Sequence, residues 1–391
     1  MTPTNPLLAA TFAPPVMEAR RWLDGVTFAP DRPLLNVSQA APVDPPPEGL
    51  RRAMADALLT RPEAHLYGPV LGNADLRAEL ARAFSAGYGG SVEAEQVAIT
   101  QGCNQAFCAV MASLAGPGDQ VILPTPWYFN HKMWLDMAGV ETVPLACGDD
   151  MLPDPERAEA LITPRTRAIV LVTPNNPSGA EYPAALVGRF HDLARRHGIA
   201  LVLDETYRDF DSREGAPHDL LTRPGWDETA IQLYSFSKAY RLTGHRVGAL
   251  IANPARLAQI EKFLDTVAIS PSQPGQIGAV WGMRNLGPWL AGERAEILAR
   301  RAAADKALSA LPGWRLKSVG AYFAWIEHPF AESSADLARR MVAEIGVLAL
   351  PGTMFTPDDD PSGARHLRIA FANVDAAGIG QLAERLGLLR G

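Results

Sequence analysis

Five apolar runs rich in β-branched residues mark the middle of the chain, at 96–100, 120–123, 167–173, 199–204 and 231–235, with helical stretches between them. Runs that are apolar throughout belong to strands covered on both faces, and strands that alternate with helices form a mainly parallel sheet. The pattern therefore predicts an α/β protein: a large domain whose sheet is sandwiched by helices, with ligands gathered at the carboxyl ends of its strands. Upstream, two amphipathic helical patterns between 48 and 84 flank His65-Leu66-Tyr67-Gly68-Pro69, where Gly and Pro mark a turn exposed enough to serve another subunit. The first 50 residues, ending in Pro42, Pro45, Pro46 and Pro47, predict an arm lying over the body, because proline fixes φ and removes a donor. Near the other end, 314–327, 347–350 and 367–371 read as antiparallel strands beside helices, a smaller α+β domain. The expected division is an arm at 1–47 that belongs with the small domain, a large domain at 48–290 and the rest of the small domain at 291–391.

Composition narrows the function. A chain of 391 residues with 47% hydrophobic and 20% charged residues can bury a large core, which excludes a mainly disordered protein. Its net charge of -7, with no long run of one sign, gives no footprint for nucleic acid or an anionic membrane, so the expected partner is a small molecule. Cys103, Cys108 and Cys147 form no CxxC pair and read as free thiols of a reducing compartment. No Lys or Arg precedes Arg20, and Pro3, Pro6, Pro14 and Pro15 break the start, unlike a signal peptide. No apolar run reaches the length of a membrane span, and the expected location is the cytoplasm.

The polar residues at the strand ends carry the chemistry. The first run leads into Gln101-Gly102-Cys103-Asn104 and then a helical pattern, where backbone N–H groups can cradle a phosphate. The third ends in Pro174-Asn175-Asn176-Pro177-Ser178-Gly179, which alone reads as an ordinary turn. The fourth ends in Asp204-Glu205-Thr206-Tyr207, and a buried carboxylate there demands a cationic partner. The fifth ends in Ser235-Phe236-Ser237-Lys238, with Arg246 eight residues after the lysine. A partly desolvated lysine near other cations has its pKa lowered toward the range where its neutral amine attacks a carbonyl. Each feature alone is ordinary, but together they describe an aromatic aldehyde with a phosphate, a phenolic oxygen and a ring nitrogen that needs a proton. That ligand is pyridoxal 5′-phosphate.

Over nearly its whole length, and in the same order and spacing, the sequence resembles the class I/II aminotransferases of the fold-type I pyridoxal-phosphate enzymes. The resemblance implies that Lys238 is the internal-aldimine lysine and the proton shuttle, and that Asp204 salt-bridges the pyridinium nitrogen. It implies that Tyr207 and Asn176 bond the phenolic oxygen, and that Gly102, Cys103, Asn104, Ser235, Ser237 and Arg246 hold the phosphate. Tyr128, rather than Trp127, falls where the family stacks an aromatic ring, and His131 where some members set a histidine behind the aspartate. Arg368 resembles the arginine that clamps the substrate carboxylate, and Asn176 and Ala41 lie where substrate contacts occur. Tyr67 resembles the tyrosine that reaches the phosphate of the neighbouring subunit, so the resemblance implies a homodimer.

It further implies transfer of an amino group from an L-amino acid to a 2-oxo acid through pyridoxamine phosphate. A lyase, decarboxylase or oxidase on the same scaffold is the alternative. A ligand-sensing domain of a transcription regulator is disfavoured by the proline-rich, non-basic first 50 residues, and a nicotinamide dehydrogenase by the absence of GxGxxG after any strand. Where dicarboxylate-specific relatives carry a second basic residue, this chain has Asn104 and the uncharged Ser270-Pro271-Ser272-Gln273-Pro274, which favours neutral or aromatic amino acids. Arg241 and His245 are unusually polar for the lysine loop, and each can meet either a substrate carboxylate or one on the protein surface.

Overall fold

The computed structural model describes Thr2 and residues 4–390; Pro3, counted above among the prolines of the arm, lies outside them. The arm contributes strand β1 (Leu35–Asn36), and the central strands follow as β2 (Val97–Thr100), β3 (Gln120–Thr125), β4 (Glu141–Ala146), β5 (Thr166–Val172), β6 (Ala200–Asp204), β7 (Ala230–Ser235) and β8 (Gly248–Ile251). β2 to β8 form one sheet in the order β2-β8-β7-β6-β5-β3-β4. β8 runs antiparallel to both of its neighbours, and all other pairs are parallel.

Side chains on successive strand residues point to opposite faces, so each apolar strand feeds two cores. Ile99, Ile122, Ile169, Leu171, Leu201 and Leu203 pack on one side with Phe84 and Phe190. Ala98, Val121, Leu123, Val170, Val202 and Leu250 pack on the other with Phe107, Val110, Leu257 and Ile260. Two strands escape the sequence pattern. β4 is an edge strand with a largely exposed face, so its residues are not a continuous apolar run. β8 begins at a glycine directly after the lysine loop, so a turn residue stands where the strand starts.

The helix Gly287–Ser309 carries the chain from this sheet to a second one, packing on β9 (Arg315–Gly320) and on the helix Ala376–Leu386. After β9 and β10 (Phe323–Glu327) the chain adds β11 (Val347–Leu348), β12 (Leu350–Pro351) and β13 (His366–Ile369). β12, β13, β10 and β9 pair antiparallel in that order. The expectation that 347–350 is antiparallel throughout needs correcting: β11 pairs in parallel with β1 of the arm, Leu35 opposite Val347 and Asn36 opposite Leu348. The chain changes partner at Ala349, because the arm enters beside β11 in the same direction while β12 turns to β13.

The two sheets meet backbone to backbone beside the loop that follows β5. Gly179 has φ +77°, and a Cβ there would lie 2.5 Å from both the Gly320 nitrogen and the Phe323 carbonyl oxygen. Because both obstacles are main chain, Gly179→Ala should destabilise the protein by about 2 kcal/mol, read as a lower denaturation midpoint in urea. Gly198→Ala also places alanine at positive φ, but in open space, and should cost only about 1 kcal/mol.

Candidate active site

The parallel strands end on one side of the sheet, and a single cavity there collects Cys103, Asn104, Tyr128, Asn176, Asp204, Tyr207, Ser235, Ser237, Lys238 and Arg246. It also draws in Val172 and Thr206, which sequence reasoning did not single out. Thr206 had a readable signal: an aspartate two residues before a threonine can accept from that residue's backbone and hydroxyl in an Asx turn.

One end of the cavity is built for an anion. Gly102 caps the helix Cys103–Leu114 with φ 84°, so the first N–H groups of a twelve-residue helix open into the cavity. The Ser235 hydroxyl oxygen accepts the Ser237 N–H at 3.3 Å, and both hydroxyls line the cavity. Arg246 crosses directly over Gly102, where a Cβ would lie 2.2 Å from its Nη2, so only glycine admits the guanidinium. Arg246 itself sits at φ 53° and donates to the Thr243 carbonyl at 3.0 Å.

The other end holds a carboxylate. Asp204 is 4% exposed at the tip of β6. Burial pushes its pKa up, but the hydrogen bond and charge of His131, with both donors of Thr206, outweigh burial and bring it below the ordinary aspartate value. His131 Nε2 lies 3.2 Å from Asp204 Oδ2. The imidazole is fixed by stacking on Phe107 at 3.8 Å between centroids and by the edge of Tyr128 at 5.0 Å. Glu205, next in sequence, turns away from the cavity and lies 3.4 Å from His218.

Between the two ends, Lys238 Nζ donates to the Ala40 carbonyl at 2.7 Å. Burial first, then the charges of Arg246 and Arg368, lower its pKa to about 8. Arg368, 2% exposed on β13, donates to Asn176 Oδ1 at 2.9 Å and to the Ser38 carbonyl. Phe323 and Phe355 lie 5.0 Å from its guanidinium, and its Nε is buried with no acceptor. Burial lowers even this group, to about 10.

Other residues singled out in the sequence, Tyr67, Ala41 and Arg241 among them, do not line the cavity. Tyr67 is 78% exposed and does not line the cavity of its own chain. Ala41 gives its N–H to Asn373 Oδ1 at 3.2 Å, and it is the neighbouring Ala40 whose carbonyl meets the lysine. Arg241 is taken up by protein carboxylates, with Glu293 at 2.7 Å and Asp44 at 3.4 Å.

A dianion cradle, an amine of lowered pKa, an aromatic ring and a carboxylate thus share one cavity, and this donor set fits pyridoxal 5′-phosphate. Fold and site together define a fold-type I pyridoxal-phosphate enzyme. Residues 32–386 match the family model described as aminotransferase class I and II. The arginine–pyruvate transaminase AruH of Pseudomonas aeruginosa is 31% identical over 331 residues, 83% of this chain and 82% of that protein. The aspartate/prephenate aminotransferase of Thermus thermophilus is 30% identical over 341 residues, with 83% and 82% covered. The structure of Thermus thermophilus aspartate aminotransferase with maleate matches with a TM-score of 0.88 at 25% identity, covering 99% of each chain. The chain belongs to the class I and II aminotransferases. It is a pyridoxal-phosphate-dependent transaminase that moves an amino group between an amino acid and a 2-oxo acid, and the lyase, decarboxylase and oxidase alternatives are not favoured.

The lowered Lys238 pKa has a direct readout. With the cofactor removed, the amine loses its proton as pH rises through about 8, so reductive alkylation of Lys238 followed by peptide mass spectrometry should show a midpoint there. Arg246→Met removes a neighbouring cation, favours the ammonium form and should raise that midpoint by about one pH unit.

Proposed function

We propose that Lys238 binds the cofactor through its amine and carries the proton exchanged at the substrate Cα. The observation that carries this reading is an amine with a pKa of about 8 in the cavity between an anion cradle and a buried, ionised carboxylate. The cofactor, when bound, supplies an electron sink for the charge that develops at Cα. In this reading Asp204 keeps the ring nitrogen protonated, and Tyr207 and Asn176 bond the phenolic oxygen. Tyr128 stacks on the ring, and the backbone of Gly102, Cys103 and Asn104, with Ser235, Ser237 and Arg246, holds the phosphate.

Arg368 clamps the substrate α-carboxylate in this reading. Its orphaned Nε supports the assignment, since a buried guanidinium donor without an acceptor is a donor set aside for a ligand. The amino donor has a neutral side chain: Arg241, the extra cation of the lysine loop, is committed to Glu293 and Asp44, and Asn104 offers no charge.

The unit we propose is a homodimer in which Tyr67 reaches the partner's phosphate site. Leu66 and Tyr67 are 65% and 78% exposed, Val267 and Ile269 56% and 44%, and the Gly68 N–H bonds Ser270 Oγ at 3.2 Å, gathering these residues on one face. Large exposed apolar groups on one face are a common mark of an interface. The chain divides, in this proposal, into an arm at 1–47, a large domain at 48–290 and a small domain at 291–391; the second boundary falls in the first turn of the helix Gly287–Ser309. Free Cys103, Cys108 and Cys147 support a cytoplasmic location, and no helix among the described residues is long and apolar enough to cross a membrane.

The test is a half-reaction screen in which holoenzyme is mixed with single amino acids and the cofactor absorbance is followed toward the pyridoxamine form. Conversion by neutral or aromatic amino acids, reversed by a 2-oxo acid, is expected. Lys238→Ala should reduce the rate by about 10⁴-fold or more, and full turnover by that variant would overturn its assignment. Arg368→Ala should raise KM for amino acids roughly 10- to 100-fold and leave cofactor absorbance intact. Val267→Asp should halve the mass measured by light scattering and weaken cofactor retention, and a chain that is already monomeric would remove the role given to Tyr67.

A further inference from the structure

The two oxygens of Asp204 are unequally supplied. Oδ1 accepts the Thr206 N–H at 3.0 Å, the Thr206 hydroxyl at 2.7 Å and the Cys103 thiol at 3.6 Å. Oδ2 faces one donor, His131 Nε2, at 3.2 Å. A carboxylate has about four lone-pair sites, two on each oxygen. Oδ1 is therefore filled by the protein, and Oδ2 retains one acceptor site. The thiol comes from the first residue of the anion-binding helix and the hydroxyl from the loop after β6, so the two ends of the cavity are tied together through this one oxygen.

We propose that Thr206 and Cys103 are positioning residues for Asp204: they saturate Oδ1, hold the carboxylate plane, and leave Oδ2 as the oxygen that meets the ring nitrogen of the cofactor. The inference rests on the reading of Asp204 given above. Valine in place of Thr206 would keep the shape, lose the hydroxyl and leave Oδ1 short of its closest donor. Rotation of the carboxylate would then be opposed at Oδ1 by the Thr206 backbone and the weaker thiol, and at Oδ2 by His131 alone. Such a carboxylate takes up a proton more readily, and a protonated Asp204 cannot pair with a pyridinium.

The probe is pyridoxamine 5′-phosphate added to the full, cofactor-stripped chain, because it binds the site without a bond to Lys238. Its Kd is measured by fluorescence quenching from acid to neutral pH. Wild-type affinity should fall on the acid side as Asp204 gains a proton. Thr206→Val should raise Kd at neutral pH roughly tenfold and move the acid limb to higher pH, and Thr206→Ser should restore both. Cys103→Ala should shift the limb in the same direction by less, and Cys103→Ser, which keeps a donor, should move it back toward the wild-type position. A crystal structure of the complex should have the ring nitrogen within hydrogen-bond distance of Oδ2.

A ring nitrogen on Oδ1 would overturn the inference. So would an acid limb unmoved in both Thr206→Val and Cys103→Ala, or a uniform loss of affinity that Thr206→Ser does not rescue, since a merely structural role gives that result. The underlying reading fails separately: Asp204→Ala binding the probe as tightly as wild type would refute the role of Asp204 whatever the Thr206 variants do.

Discussion

The burial of charge at the carboxyl ends of the strands is the constraint on which the rest of the structure depends. Asp204 and Arg368 are 4% and 2% exposed, and Lys238 lies among them. Charges held away from water persist only where specific partners replace the lost hydration. His131 and Thr206 do this for Asp204, and Asn176 with the Ser38 carbonyl for Arg368. The apolar cores on both faces of the sheet make the surroundings dry, and the same dryness drives the Lys238 amine toward its neutral form. Sheet, caps and buried partners thus serve one electrostatic arrangement rather than several independent ones.

How much of this was legible in the sequence follows from the same physics. Strands buried on both faces write themselves as unbroken apolar runs, so β2, β3, β5, β6 and β7 could be read, and with them the residues at their ends. The edge strand β4 lacks that signature, and β8 is hidden by the glycine at its start. Contacts made by main chain were the least readable. The Ala40 carbonyl reaches the lysine, yet the side chains of that segment gave no sign of such a contact; only Ala41 was expected there, as a substrate contact. Arg241 shows the limit for side chains: its charge was evident, but its partners, Glu293 and Asp44, lie 52 residues ahead and on the arm, where no local pattern could point. Thr206 was within reach, since it stands two residues after Asp204 in the Asp204-Glu205-Thr206-Tyr207 segment, the spacing at which an aspartate accepts from a threonine N–H and hydroxyl.

The pairing of β1 with β11 has a consequence for the order in which the molecule is made. Leu35 and Asn36 leave the ribosome first, and their strand partner, Val347 and Leu348, only after more than three hundred further residues have been added. All seven strands of the central sheet lie between these two points. Domains generally fold as units during synthesis, so the central sheet can assemble while the arm still waits for its partner. The helix Ala376–Leu386, which packs on Gly287–Ser309, emerges later still. The layer closed by β1 and β11 therefore forms after the strands of the central sheet have emerged, and the Arg368 site, built from β13 against the Ser38 carbonyl of the arm, waits for a residue added 330 positions after that carbonyl.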